Sequence, residues 1–198
     1  MRMTTQLLDR VLVVDVEATC WEGAPPAGMS PEIIEIGLCE LDVPTAERIS
    51  RRSVLVRPDH SEVSDFCTRL TTLTPEQVAD GVPFAEACAL LRREYGARQR
   101  VWVSWGDYDR RQFERQCAAR GVAYPFGRRH VNAKTLYALA HGLGREQGMA
   151  EALAHAGREL EGTHHRGVDD AWNIAGLLAG ILRDVRTATD EAPPGGGA

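Results

Sequence analysis

The stretch Val11-Leu-Val-Val-Asp-Val-Glu17 constrains this chain more than any other. Its β-branched, apolar residues predict a buried strand over residues 11–16, and that strand ends in two acids. Strand side chains alternate between faces, so Asp15 and Glu17, two positions apart, project from one face of a sheet. Carboxylates a few Å apart repel each other. A buried pair is stable only if one takes up a proton, swings into water, or shares a cation with its neighbour. What else the chain delivers to that place decides between these outcomes.

Two further strand patterns follow: residues 32–41, with Ile34, Ile36 and Leu38 alternating, and residues 53–56, which end before Pro58. With the first strand they predict a meander. Between them, Glu22-Gly-Ala-Pro-Pro-Ala-Gly28 reads as a loop. Thr74-Pro-Glu-Gln77 predicts a helix start with Thr74 as cap, Pro75 in the first turn and Gln77 closing a capping box. Helices are expected over residues 83–95, stopped at Gly96, and over residues 109–120, with Gly121 where a left-handed C-cap is wanted. The run Arg100-Val-Trp-Val-Ser-Trp-Gly106 supplies a strand between those two helices. Shorter helices are expected at 136–140 and 149–156, and the longest at 168–185. The Pro- and Gly-rich segment 187–198 predicts a disordered tail, which leaves a folded domain over residues 8–186. Strands first, then strands alternating with helices, indicate an α/β domain with a mixed sheet flanked by helices.

The 198 residues fit one domain, and no apolar run is long enough to span a bilayer. The opening Met-Arg-Met-Thr-Thr-Gln lacks the pattern of a secretory signal, so the expectation is a cytoplasmic protein with no membrane partner. Five scattered cysteines, Cys20, Cys39, Cys67, Cys88 and Cys117, form no C-x-x-C pair and read as small buried residues, without a disulfide framework or a zinc site. A net charge of −5 argues against a protein that coats long duplexes but leaves room for a site that takes one strand end. Lys134 is the only lysine among the 23 basic residues. Arg128, Arg129 and Arg166 are candidates for phosphate contact, set against the plainer reading of solvated surface.

The last helix offers a specific test of which acids converge. Its apolar residues Ile174, Leu177, Leu178, Ile181 and Val185 recur at helical spacing, and four positions before Ile174 stands Asp170. Asp170 therefore lies on the buried stripe, while Asp169 is turned about 100° away and suits the first turn of a helix. In Trp105-Gly-Asp-Tyr-Asp-Arg-Arg-Gln-Phe113, Asp109 heads the row Asp109, Phe113, Cys117, and Asp107 falls in the turn before the helix. Asp109 and Gln112 also make a reasonable capping box, and local residues leave the two readings even. His165 precedes Asp170 by five residues, in a loop where nothing periodic separates it from His164. A neutral imidazole beside acids can take a proton from water at neutral pH. His60, His130, His141 and His155 read as ordinary surface or core residues.

The ordered set Asp15-Val-Glu17, Tyr108-Asp109 and His165-Arg-Gly-Val-Asp-Asp170-Ala-Trp-Asn-Ile-Ala resembles the three motifs of the histidine-bearing (DEDDh) branch of the DEDD exonucleases. Within that branch, Asp-Val-Glu-Ala-Thr-Cys-Trp, Glu32-Ile-Ile-Glu-Ile-Gly and Asp65-Phe-Cys-Thr-Arg-Leu-Thr are similar to the enhanced-RNA-interference exonucleases, in particular their stand-alone bacterial members, which lack an appended nucleic-acid-binding domain. The resemblance covers residues 12–182. It implies a ribonuclease H-like fold with a mixed five-stranded sheet, and a two-metal, 3′-to-5′ exonuclease that releases nucleoside monophosphates. It also selects Asp109, and His165 with Asp170 over His164 with Asp169.

The implied metal ligands are Asp15, Glu17, Asp109 and Asp170, hard oxygen donors suited to two Mg²⁺ ions, with Mn²⁺ as a substitute. Glu17 and His165 are the implied catalytic pair, His165 removing the proton of the attacking water. For the substrate, a single-stranded 3′ end with RNA favoured over DNA, the resemblance implies contact with the backbone of Ala18 and Thr19, with Phe66, Leu70 and Tyr108, and with His165. The alternatives are an oligoribonuclease or DNA exonuclease, and a regulatory protein that keeps the fold to bind a protein partner. The sequence names no such partner, and the held set of repelling acids speaks against that reading.

Overall fold

The computed structural model describes residues 7–190. In chain order the strands are β1 (Leu7–Ala18), β2 (Ile33–Asp42), β3 (Arg48–Arg57), β4 (Val82–Pro83), β5 (Arg100–Ser104) and β6 (His130–Asn132). The helices are α1 (Asp65–Thr71), α2 (Pro75–Ala79), α3 (Phe84–Glu94), α4 (Tyr108–Arg120), α5 (Ala133–Ala140), α6 (Met149–His155) and α7 (Gly167–Asp190). The first three strands form the expected antiparallel meander. Strand β5 then runs parallel to β1, so the strand that carries Asp15 and Glu17 lies inside the sheet, in the order β4-β3-β2-β1-β5-β6.

The sheet has six strands where five were expected. The extra edge strand, Val82–Pro83 against β3, is two residues long and leaves no periodic signal. The three-residue strand β6 and the helix α1 also stand in stretches where local pattern predicts nothing regular.

Alternation along β1 divides the core. Leu12, Val14 and Val16 pack with Trp102, Phe84, Leu91 and Phe113 on the side of α3 and α4. Val13 packs with Cys39, Leu41, Ile174 and Leu178 on the side of α5, α6 and α7. Asp15 and Glu17 continue the Val13 row and so face α7. Opposite Asp15 in the register stands Gly37, where an added Cβ would lie 1.9 Å from the Gly167 carbonyl carbon and oxygen. Only a hydrogen at this position lets the start of α7 sit directly on β2.

The caps form as the sequence requires. Thr74 Oγ1 accepts from the Gln77 amide and Gln77 Oε1 from the Thr74 amide. Gly121 closes α4 with φ 61° and accepts the left-handed conformation there.

The end of α7 differs from expectation. The helix continues to Asp190, past the domain boundary at 186 and into the segment expected to be disordered. Arg183 donates to the Ala46 carbonyl and Arg186 to the Pro44 carbonyl, which ties the turn leading into this extension to the β2–β3 connection. The apolar stripe stops at Ile181, and Val185 is 61% exposed because the helix has by then passed the sheet. The rest of the expected tail, 191–198, lies outside the described residues. Among the described residues no helix is long and apolar enough to cross a membrane.

Candidate active site

Asp15, Glu17, Asp109 and Asp170 line one cavity of about 420 Å³, although β1, α4 and α7 deliver them from places far apart in the sequence. Ligand oxygens of Asp15, Glu17 and Asp170 lie within 4.8 Å of one another. Asp170 is 5% exposed at the head of the buried stripe of α7. Asp169 turns away, accepting the Thr163 amide at 2.7 Å and pairing with Arg51.

The cap reading of Asp109 does not hold. Helix α4 begins at Tyr108 with Asp107 at the cap position, and Gln112 donates to the Pro31 carbonyl at 2.8 Å. Asp109 is buried and accepts the Val16 amide at 2.9 Å, so it is fastened to the strand that carries the first two acids. Asp107 pairs with Arg110 at 3.2 Å outside the cavity.

The electrostatic consequence is large. Burial, and then the charges of Asp109, Glu17 and Asp170, push the Asp15 carboxyl well above the usual carboxylate range. Burial followed by Asp170, Glu35 and Asp109 pushes Glu17 up to about 9. Asp109 rises to about 6 through burial, opposed by the amide hydrogen bond from Val16. Burial also raises Asp170, and His164 opposes the shift. Without a cation the cluster therefore holds protons at neutral pH. Hard, clustered oxygen donors that repel one another fit a divalent cation.

Both histidines of the loop before α7 reach this cavity. His164 Nδ1 lies 3.2 Å from Asp170 Oδ2, whereas His165 donates its backbone amide to the same oxygen at 3.0 Å. The two rings stack at 3.9 Å. His165 has φ 63°, a left-handed backbone unusual outside glycine. Burial and the charge of His164 depress the His165 imidazole below its ordinary value.

Among the expected substrate contacts, Ala18, Leu70 and Tyr108 line the cavity, and Tyr108 is 55% exposed at its mouth. Phe66 stands one turn before Leu70 on α1, half-buried, and is not part of the wall. Thr19 is a correction. It is fully buried, its amide donates to the Glu32 carbonyl at 2.8 Å, and its hydroxyl accepts the Glu32 amide at 3.0 Å, so its amide and hydroxyl are already committed. Cys20 is a second one: it is half-buried and lines the cavity, while the other four cysteines are buried.

Sequence reasoning missed Glu35. It is fully buried directly across from Glu17 in the register of β1 and β2. The available signal was a lone acid inside the apolar run Ile33-Ile34-Glu35-Ile36.

The sequence and the fold match those of known proteins. Residues 12–178 match the Exonuclease (RNase_T) family. The chain belongs to that family. The 3′-5′ exonuclease Snipper of Drosophila melanogaster is 29% identical over 92% of this exonuclease chain and 73% of its own length. The human 3′-5′ exoribonuclease 1 is 30% identical over 89% of the chain but only 53% of its own length. The probable 3′-5′ exonuclease KapD of Bacillus subtilis is 26% identical over 97% of the chain and 92% of its own length. Among solved structures, the nuclease domain of 3′hExo, a DEDDh family member bound to rAMP, superposes with a TM-score of 0.80 at 30% identity, covering 89% of this chain and 92% of that one. The α/β fold, with its mixed sheet flanked by helices, is therefore that of ribonuclease H-like exonucleases, a family that depends on divalent metal.

Proposed function

We propose that this exonuclease removes nucleoside monophosphates one at a time from the 3′ end of single-stranded RNA, with two Mg²⁺ ions as its metal and Mn²⁺ able to replace them. One observation carries the reading: four carboxylates from three elements meet in a single cavity beside two histidines. Relatives named as 3′-5′ exoribonucleases support the direction and the RNA preference. So do two related structures, a DEDDh nuclease domain bound to rAMP and a 3′-exonuclease recognising the 3′ end of a histone mRNA stem-loop, the latter 28% identical.

Asp15, Glu17, Asp109 and Asp170 would hold the cations, which when bound supply neutralising charge and Lewis acidity. The Val16 amide keeps Asp109 aimed at the cluster, and the Asp170 carboxylate is oriented by the His165 amide. Leu70 and Tyr108 flank the entrance, where an apolar side and a ring can pack on a terminal nucleotide without reading its base. His165, neutral because its pKa is depressed, accepts the proton of the attacking water on its imidazole. The water oxygen bonds to phosphorus as the bond to the preceding 3′ oxygen breaks; that oxygen takes a proton from solvent, so the products are a nucleoside 5′-monophosphate and a shortened strand with a free 3′ hydroxyl.

The test uses 5′-labelled single-stranded RNA and DNA incubated with Mg²⁺, Mn²⁺ or EDTA. The expected result is a ladder that shortens nucleotide by nucleotide, needs metal, runs faster on RNA, and vanishes in Asp15→Ala. Full activity in that variant, or no ladder from the wild-type chain on either polymer, would overturn the proposal. A faster ladder on DNA, or activity confined to the shortest oligoribonucleotides, would replace the substrate and keep the reaction.

A further inference from the structure

Glu35 is a buried acid with no place in the reaction just described. Its carboxylate adds to the repulsion that already raises Asp15 and Glu17. A side chain that served packing alone would do so at lower cost if it were apolar. What Glu35 holds is specific. Oε2 accepts the Gly167 amide at 3.0 Å and the Arg166 Nε–H at 3.2 Å, and Oε1 lies 3.4 Å from Arg166 Nη2. Ser53 donates its hydroxyl to Oε1 at 2.5 Å and completes the set.

Two of these partners, Arg166 and Gly167, are the residues that follow His165. The carbonyl of Arg166 also accepts the Asp169 and Asp170 amides, so Arg166 stands where the loop becomes α7. Its guanidinium reaches Thr72 Oγ1 at 3.5 Å, and Thr72 ends the helix that carries Leu70. Thr72 and His165 both have φ 63°. A non-glycine residue in that conformation is strained by about 1–2 kcal/mol and persists only where its surroundings fix it.

We propose that Glu35 is a positioning residue for the hydrolysis: through Arg166 and the Gly167 amide it fixes the loop that carries His165, and through Arg166 it ties that loop to the Leu70 wall of the cavity. This rests on the exonuclease reading for its kinetic consequence only. The structural consequence, an ordered loop over residues 164–167, stands apart from it.

The test compares Glu35→Gln and Glu35→Ala with Glu32→Gln. Glu32 is an equally buried acid that pairs with Arg120 and accepts the amides of residues 59–61, away from the histidine loop. Measured are melting temperature, kcat and KM on single-stranded RNA with Mn²⁺, and amide hydrogen exchange over residues 163–168. In Glu35→Ala, kcat is expected to fall about 10–100-fold with KM within about threefold, and exchange at residues 164–167 to accelerate. Glu35→Gln, which keeps an acceptor for Gly167, should lose less. Glu32→Gln should keep kcat within about twofold at a similar loss of melting temperature. Equal losses of kcat in the Glu32 and Glu35 variants, or unchanged kcat in a folded Glu35 variant, would overturn the proposal. If the wild-type chain cleaves nothing, the functional reading fails and the exchange data still decide: unchanged protection at 164–167 in a folded Glu35→Ala removes the positioning role.

Discussion

At the scale of residues, the site separates neighbours that look alike in sequence. Asp107 and Asp109 are two positions apart, yet one pairs with Arg110 at the surface and the other is buried against Val16. Asp109→Asn should abolish nucleotide release, and Asp107→Asn should leave it within about twofold, measured side by side on one substrate. His165→Ala should lower kcat by about 10²–10⁴-fold, the usual contribution of a positioned general base.

The raised carboxyls also set a pH dependence. Glu17 moves from an ordinary 4.5 to about 9, so between those values the folded chain binds more protons than the unfolded one. The stability contributed by the protonated carboxyl is fully present below 4.5 and is lost as pH rises through about 9. Melting curves in EDTA should therefore shift downwards from pH 5 to pH 9, and saturating Mg²⁺ should flatten the trend. Calorimetric titration with metal at pH 7 should release protons, seen as a binding heat that varies with the ionisation heat of the buffer.

Asp170 was legible because a helix converts spacing into direction, and Asp15 with Glu17 because a strand does the same. His164 and His165 were not separable, because a loop has no period, and Glu35 passed for an ordinary strand residue because its partners lie 131 and 132 positions away. Thr19 was misread for a related reason: what occupies an amide is a matter of tertiary pairing.

At the scale of elements, the decisive contact is that of α7 with β2. Gly37→Ala would drive a methyl into the Gly167 backbone, which no rotamer change relieves. The expected cost is about 3 kcal/mol, or roughly 6–12 °C in melting temperature for a domain of this size. Activity at a temperature where the variant is still folded should fall as well, since the same shift moves Asp170. A thermal melt and a rate measured on one preparation check both. Elements with caps or long periodicity were readable in advance, as Thr74 with Gln77 and Gly121 show. The two-residue strand β4 and three-residue strand β6 exist because neighbouring strands supply their partners, and nothing local encodes that. The turn of α7 that reaches 186 is likewise held by carbonyls of the β2–β3 connection, not by an apolar stripe, and the helix runs on from it to 190.

At the scale of the whole molecule, a net charge of −5 and a cavity lined by acids leave few cations to grip a phosphate chain. Binding should then depend on a handful of phosphate contacts near the strand end. The slope of log KM against log salt is expected to stay at or below about 2 in magnitude, far from that of a protein coating a duplex. A salt series from low to physiological ionic strength measures it, and a steep slope would point to a longer basic track.

The acids come from positions 15 and 17, then 109, then 170, and the last of them rides on α7. During translation the first three emerge while Asp170 is still to be made, so an unfinished chain has no complete pocket. An enzyme built this way stays inert beside its own messenger until Asp170 has been made and α7 can pack on the sheet.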